Sequence, residues 1–315
     1  MEVTFVTNIS KSSSMLNMLR LLLISLRTTV KLHYKVAVVI DYDISIEQIF
    51  SENPWLSSEP CYFVNTPREY NQRFGYLGNF IYRFQLETKT ESIIFCDADL
   101  VVVGDIIPAI KLSVQDGAIY GVAAGTVVNE GVKFSLEECG LASYQYDLME
   151  SAGWGTWLHL PERLGFPHYN CGVLFATREI AQEIAKNLVD YMEVCRRNIP
   201  HVLYVQLAIS MTLIKAGISM RCLPYSYNMA IHQLVTGQLE LEDPYALRKR
   251  QRIRDAINSP CIIHFCVESP YLNKSKDFVD KNSMMSLMNR DYRESHVLFH
   301  LQKFISANAK EIFGS

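Results

Sequence analysis

The stretch Ser92-Ile93-Ile94-Phe95-Cys96-Asp97-Ala98-Asp99-Leu100-Val101-Val102-Val103 sets two carboxylates one residue apart between two apolar runs. Short runs rich in Ile, Val and Phe read as buried strand. Both flanks have that character, and nothing in the adjoining sequence neutralises Asp97 or Asp99. A buried charge is costly unless it is paired or bound to a metal. The triplet is therefore a candidate seat for a hard divalent cation, Mn²⁺ or Mg²⁺, bridging to phosphate oxygens.

An Asp-x-Asp triplet alone is a weak signal, since about one is expected in a chain of this size at average Asp usage. A second one, Asp41-Tyr42-Asp43, follows the apolar run 36–40 but has no apolar run after it. It reads as a solvated strand end or a helix cap.

Outward from the triplet, the first hundred residues alternate. Strands are predicted at 2–7, 35–40, 60–64 and 92–96, with helices at 13–28, 45–50 and 76–88 between them. This rhythm implies right-handed βαβ units, an α/β fold with a mostly parallel sheet and helices on both faces. Ligands of such sheets gather at the carboxyl ends of the strands. A dinucleotide-binding sheet shares the rhythm, and the first turn separates the two. Thr7-Asn8-Ile9-Ser10-Lys11-Ser12-Ser13-Ser14 contains no glycine, and the first glycine of the chain is Gly75. A pyrophosphate cannot approach that backbone as a Gly-x-Gly-x-x-Gly turn allows. A carboxylate-held metal is the substitute.

Further along, strands are expected at 119–124, 171–176, 219–223 and 261–265, with helices at 178–197 and 202–216 and a long loop over 126–168. A third metal ligand has to come from far along the chain. His264 ends the apolar run Cys261-Ile262-Ile263, a setting that the other seven histidines lack. On its own it reads either as a satisfied core histidine or as that ligand. The last segment, 268–315, spaces Met285, Leu287, Leu298, Leu301, Phe304 and Ile305 among charges, as in amphipathic helices packed on the preceding domain, 1–267.

The 315 residues are 49% hydrophobic and carry a formal net charge of −3, which supplies no cationic field for nucleic acid. The eight cysteines form no CxxC pair and no zinc-spaced cluster, and read as reduced thiols in a cytoplasmic chain. Met1 leads straight into a strand pattern, so no cleaved export signal is expected. The apolar stretch 16–26 is interrupted by Asn17, Arg20 and Ser25 and is too short to span a bilayer. The basic run Arg248-Lys249-Arg250-Gln251-Arg252-Ile253-Arg254 reads as a solvated helix face, with peripheral contact to anionic lipid or an acidic acceptor as the other reading.

Taken in order, the motifs resemble glycosyltransferase family eight, the glycogenin and lipopolysaccharide galactosyltransferase group. They are Tyr82-Arg83-Phe84, the Asp97-Ala98-Asp99 stretch, Gly104-Asp105-Ile106, Gly121-Val122-Ala123-Ala124 and Tyr169-Asn170-Cys171-Gly172-Val173-Leu174-Phe175. The resemblance runs from residue 2 to about residue 271 and implies a GT-A-like fold. It implies Mn²⁺ (or Mg²⁺) held by Asp97, Asp99 and His264. A UDP-sugar donor is implied against Thr7, Asn8, Asn79, Arg83, Asp97 and Ala98, with Arg83, Asn170 and Gln206 as the residues of the chemistry. Tyr76, Asn79 and Arg83 would share one polar face of the predicted 76–88 helix, facing either donor or solvent.

Three departures accompany the resemblance. The family's Asp-Gln pair is Val205-Gln206 here; its closing His-x-x-Gly-x-x-Lys-Pro-Trp is His264-Phe265-Cys266-Val267-Glu268-Ser269-Pro270-Tyr271; and the tyrosine that stacks on the base near Ser10 is missing. The resemblance implies retaining transfer of a hexose to a hydroxyl of a glycan, a lipid-linked acceptor or a protein. A catalytically impaired sugar-nucleotide or glycan binder and a sugar-1-phosphate nucleotidyltransferase are the alternatives. The oligomeric state is not legible.

Overall fold

The computed structural model describes residues 1–10, 13–127, 166–198, 204–230, 256–264 and 297–313. Seven strands build the main sheet: β1 (Glu2–Asn8), β2 (His33–Ile40), β3 (Cys61–Asn65), β4 (Ser92–Cys96), β6 (Ile119–Val127), β7 (Phe166–Thr177) and β8 (Met220–Cys222). Their order is β3-β2-β1-β4-β7-β6-β8. All run parallel except β7, which is antiparallel to both β4 and β6. This is the mostly parallel α/β sheet that the alternation predicts. Val36, Ala37, Val38, Val39 and Ile40 are all fully buried, as strands covered on both faces must be. Each of the larger ones contributes about 2 kcal/mol by leaving water.

The helices are α1 (Ser13–Thr29), α2 (Ile46–Glu52), α3 (Arg68–Phe74), α4 (Gly78–Tyr82), α5 (Ile107–Asp116), α6 (Arg178–Asn198), α7 (Tyr204–Lys215), α8 (Val297–Ala307) and α9 (Ala309–Phe313). The single helix expected over 76–88 is instead α4 with short 3₁₀ turns at Gly75–Leu77 and Arg83–Gln85. Glycine is the reason. Gly75 has φ +60°, and a Cβ on Gly78 would lie 2.9 Å from the backbone of Tyr70 and Asn71, so α4 can fold hard against α3 only there. The helix α5 was not expected; Asp105 Oδ1 accepts the Ile107 N–H at its start and Gly117, at φ +57°, ends it.

A three-stranded second sheet, β5 (Leu100–Val102), β10 (Ile262–His264) and β9 (Met229–Ala230), stands beside the first in the order β5-β10-β9. The two apolar flanks of the triplet therefore belong to different sheets. Asp97-Ala98-Asp99 is a corner, where strand on both sides had suggested one continuous run. Asp97 N–H still donates to Gly172 O (2.9 Å), continuing the β4–β7 ladder, and then the chain turns away. Beyond the corner β5 is pinned by α1. Ser25 Oγ accepts from Val102 N–H (3.0 Å), and Thr29 Oγ1 donates to Val102 O (3.0 Å). Val103 and Gly104 N–H both donate to Cys261 O, and a Cβ on Gly104 would sit 2.6 Å from Pro260 O.

At the chain's end Leu298, Leu301, Phe304 and Ile305 of α8 are buried, and Arg20 of α1 donates to Glu311 O of α9 while Arg27 pairs with the Glu311 carboxylate. The expected boundary at 267/268, the basic run 248–254 and most of the 126–168 loop lie outside the described residues. Among the described residues no helix is long and apolar enough to cross a membrane. No disulfide joins the six described cysteines to one another.

Candidate metal centre

The corner brings Asp97 and Asp99 to the carboxyl end of β4, and the β5–β10 pairing sets Leu100 opposite His264. His264 Nε2 is 3.3 Å from Asp99 Oδ1 and 3.6 Å from Asp97 Oδ2, and one ligand atom from each of the three residues lies within 4.8 Å of the others. Ligands about 2.1 Å from a divalent cation lie about 3 Å apart at adjacent octahedral positions. The two separations from His264 Nε2 are near that value, so the imidazole nitrogen and each carboxylate are spaced as neighbouring ligands of one hard cation would be. Two carboxylate oxygens and an imidazole nitrogen suit Mn²⁺ or Mg²⁺ better than a thiolate-seeking metal.

Asp97 has a cationic partner that the neighbouring sequence does not contain. Arg83 Nη1 donates to Asp97 Oδ1 (2.6 Å), to Asn8 Oδ1 (3.1 Å) and to Cys96 O (3.0 Å), and Nη2 donates to Cys171 O (2.9 Å). The Arg83 side chain is 0% exposed, against 29% for Asp97, and the guanidinium packs over Phe80 (4.0 Å to the ring centroid) and Phe84. It ties the ends of β1 and β4 to the middle of β7 and holds one oxygen of Asp97, leaving the other toward His264. Burial pushes the neighbouring Cys96 thiol up to about 12 and the Cys171 thiol up as well, with Arg83 opposing the rise in both. Neither is a nucleophile near neutral pH.

His264 is 5% exposed, and its Nδ1 lies 2.9 Å from Asn228 Oδ1. The ring fits because residue 172 is glycine: a Cβ there would be 2.4 Å from His264 Cε1. Asn170 Oδ1 accepts from Gly172 N–H (3.0 Å), and Asn228 Nδ2 donates to Asn170 O (3.3 Å).

Of the expected site residues, the structure gathers Asn8, Arg83, Asp97, Ala98, Asp99, Asn170 and His264 around this corner. Ala98 is buried, as is Thr7 within β1. Asn79 is 2% exposed and belongs to a separate cluster. Its Nδ2 donates to Asp41 Oδ1 (2.7 Å) and Ile9 O (3.2 Å), and its Oδ1 accepts from Thr66 Oγ1 (2.8 Å). Asn79 and Arg83 therefore share an inward face, and no solvent-facing stripe forms. The side chain of Tyr76 lies outside the described part. Gln206 sits on α7, which packs on α6 and β7; its Oε1 is buried without a hydrogen-bond partner, and Val205 beside it is 4% exposed. Asn228 was missed altogether, because nothing in its local sequence distinguishes it. Gly172 was legible only as part of a motif.

No protein-family profile matches the sequence, and no curated protein matches it. Solved structures do match its fold. The galactosyltransferase LgtC with donor and acceptor sugar analogues has a TM-score of 0.53 at 13% identity, over 86% of this chain and 88% of that one. Mouse xyloside xylosyltransferase 1 gives 0.55 at 14%, over 86% and 99%. The glycosyltransferase GlyE of Streptococcus pneumoniae TIGR4 gives 0.52 at 15%; this chain is covered over 98% and spans 64% of GlyE's length. At these identities the likeness is one of fold, and it agrees with what the ordered motifs implied: this chain has the GT-A fold of the glycosyltransferases, with an Asp-x-Asp and histidine triad at the carboxyl edge of its sheet.

Proposed function

We propose that this chain is a metal-dependent glycosyltransferase that moves a hexose from a UDP-sugar to an acceptor hydroxyl with retention of configuration. The observation that carries this reading is the convergence of Asp97, Asp99 and His264 at the corner between the two sheets. A divalent cation held there would offset the charge growing on a departing diphosphate.

The chain's own residues have separable tasks. Arg83 holds Asp97 at a fixed angle and cancels one carboxylate charge, so the protein side of the site carries −1 where two bare aspartates would carry −2. Its complete burial directs its action through Asp97. Asn8, at the end of β1, joins the same guanidinium and in this reading contacts the nucleotide. Asn170 edges the triad on β7, suited to a sugar hydroxyl. The buried, unpartnered Oε1 of Gln206 is an acceptor that a ligand hydroxyl would satisfy. The acceptor is a glycan, a lipid-linked sugar or a protein hydroxyl, and the working compartment is the cytoplasm.

The test is a panel of nucleotide sugars screened for Mn²⁺-dependent thermal stabilisation, followed by donor hydrolysis with each stabilising sugar. A UDP-hexose that stabilises and is hydrolysed is the expected result. Stabilisation by no UDP-sugar would sink the reading. The buried Val205, where the resembled family carries a carboxylate, favours a second reading as a sugar-nucleotide binder without turnover. Stabilisation by a UDP-sugar with no hydrolysis or transfer would select it.

A further inference from the structure

Resting on the metal reading above, we infer that Asn228 is the positioning residue of this centre, fixing the His264 ring so that Nε2 presents a lone pair to the cation.

The orientation of the Asn228 amide follows from its two partners. Asn170 O is a carbonyl and can only accept, so the atom 3.3 Å from it is the Asn228 NH₂. The Asn228 oxygen therefore faces His264 Nδ1 at 2.9 Å, and an amide oxygen can only accept. Nδ1 must carry the ring proton. In neutral imidazole the other nitrogen is then the acceptor, and Nε2 is the atom 3.3 Å from Asp99 and 3.6 Å from Asp97. With the opposite tautomer a proton would point into the cation's place.

The device is closed on itself. Asn228 is 1% exposed and comes just before β9, the strand that pairs with β10 through Met229–Ile263 and Ala230–His264. Its NH₂ is anchored on Asn170, whose own side chain accepts from Gly172 N–H. Gly172 in turn is the wall against which the His264 ring lies, with no room for a methyl group. The ring is held by a hydrogen bond on one side and by bare backbone on the other. The same asparagine joins the histidine to the strand bearing Asn170. Partners of this kind typically govern metal affinity by about 10–100-fold.

The experiment measures Mn²⁺ affinity by calorimetry on the full chain without donor, for wild type, Asn228→Leu, Asn228→Asp and His264→Ala. Leucine removes the acceptor and should weaken Mn²⁺ binding about 10–100-fold. Aspartate keeps the acceptor toward Nδ1 but loses the donor to Asn170 O, and should bind Mn²⁺ more weakly than wild type and more tightly than Asn228→Leu. Wild-type affinity in Asn228→Leu alongside a weakened His264→Ala overturns the inference, and so does Asn228→Asp as weak as Asn228→Leu. Unchanged affinity in His264→Ala removes the metal reading itself, a distinct result that takes the inference with it. A measurement on the unmodified protein guards against a variant that fails to fold. Long-range ¹H–¹⁵N correlations of the His264 ring should report the Nδ1–H tautomer, and the Nε2–H tautomer overturns the proposal.

Discussion

The chain contains the same pattern twice, and the two copies have opposite fates. Asp41-Tyr42-Asp43 and Asp97-Ala98-Asp99 each follow an apolar parallel strand, and each sits at the carboxyl edge of the sheet. After Asp43 the chain enters α2, capped by Ser45, whose Oγ accepts the Gln48 N–H. The Asp41 carboxylate accepts from the side-chain amides of Asn79 and Asn71, and its carbonyl accepts from Asn65 Nδ2. Asp43 faces solvent. After Asp99 the chain turns into a second sheet, which delivers a histidine from more than 160 residues away, while Arg83 arrives from beneath. A carboxylate pair becomes a candidate metal centre through what meets it, and the triplet itself carries little of that information.

That contrast is open to direct attack. The largest effect is expected from Asp99→Ala, which should cut Mn²⁺-dependent donor hydrolysis by about 10³-fold, equal to about 4 kcal/mol of transition-state stabilisation. Asp43→Ala should leave it unchanged. Equal losses in parallel kinetic assays would erase the distinction between the two copies. Next comes Arg83→Leu, which strips Asp97 of its buried partner and leaves three acceptors unmet. A loss of about 3 kcal/mol in urea unfolding is expected. Less than about 1 kcal/mol would mean that Asp97 does not depend on the guanidinium.

Asp41→Ala is expected to cost about 1–2 kcal/mol, because the buried Asn79 amide loses its acceptor. Mn²⁺ affinity should stay at the wild-type value, and a weakened affinity would join Asp41 to the metal centre. The smallest effect concerns α2. Ser45→Ala should cost about 1 kcal/mol through the lost cap. Glu47 is held below its usual 4.5 by its own backbone N–H and the Ser45 hydroxyl. Its contribution is therefore present above the unfolded pKa and disappears as pH falls through the lower folded value. The difference in thermal midpoint between wild type and Ser45→Ala should shrink between about pH 5 and pH 3, and a pH-independent difference would count against this pairing.

The fold was legible where burial imposes a pattern. The alternation of apolar strands with helical spacing placed β1 to β4, α1, α6 and α7 within a few residues, because parallel strands covered on both faces have little freedom in composition. The corner was not legible. The runs on either side of Asp97-Ala98-Asp99 are equally apolar, and strand membership in one sheet or two is decided by Cys261, Ser25 and Thr29 from elsewhere in the chain. Of the site, Asp99 stood out by the apolar runs on either side of its triplet and His264 by ending one, but position alone left His264 open between core residue and ligand, and only the family resemblance implied the ligand role. Arg83 was readable as a site residue, but its burial was not, since Phe80, Phe84 and the carbonyls of Cys96 and Cys171 enclose it only in three dimensions. Asn228 left no sequence trace, because a side chain that serves one hydrogen bond to a ring imposes no pattern on its neighbours.

The polar interruptions of α1 that argue against a membrane span have a structural use. Ser25 and Thr29 grip both main-chain groups of Val102, three residues past Asp99. Mechanically, α1 is a gauge block: its length between the β1 turn and Thr29 sets how far the corner stands from the main sheet. An inserted or deleted residue there would change the height of Asp99 against His264. Damage to α1 would thus be felt first as a misaligned Asp97, Asp99 and His264 triad, although the helix supplies none of the three.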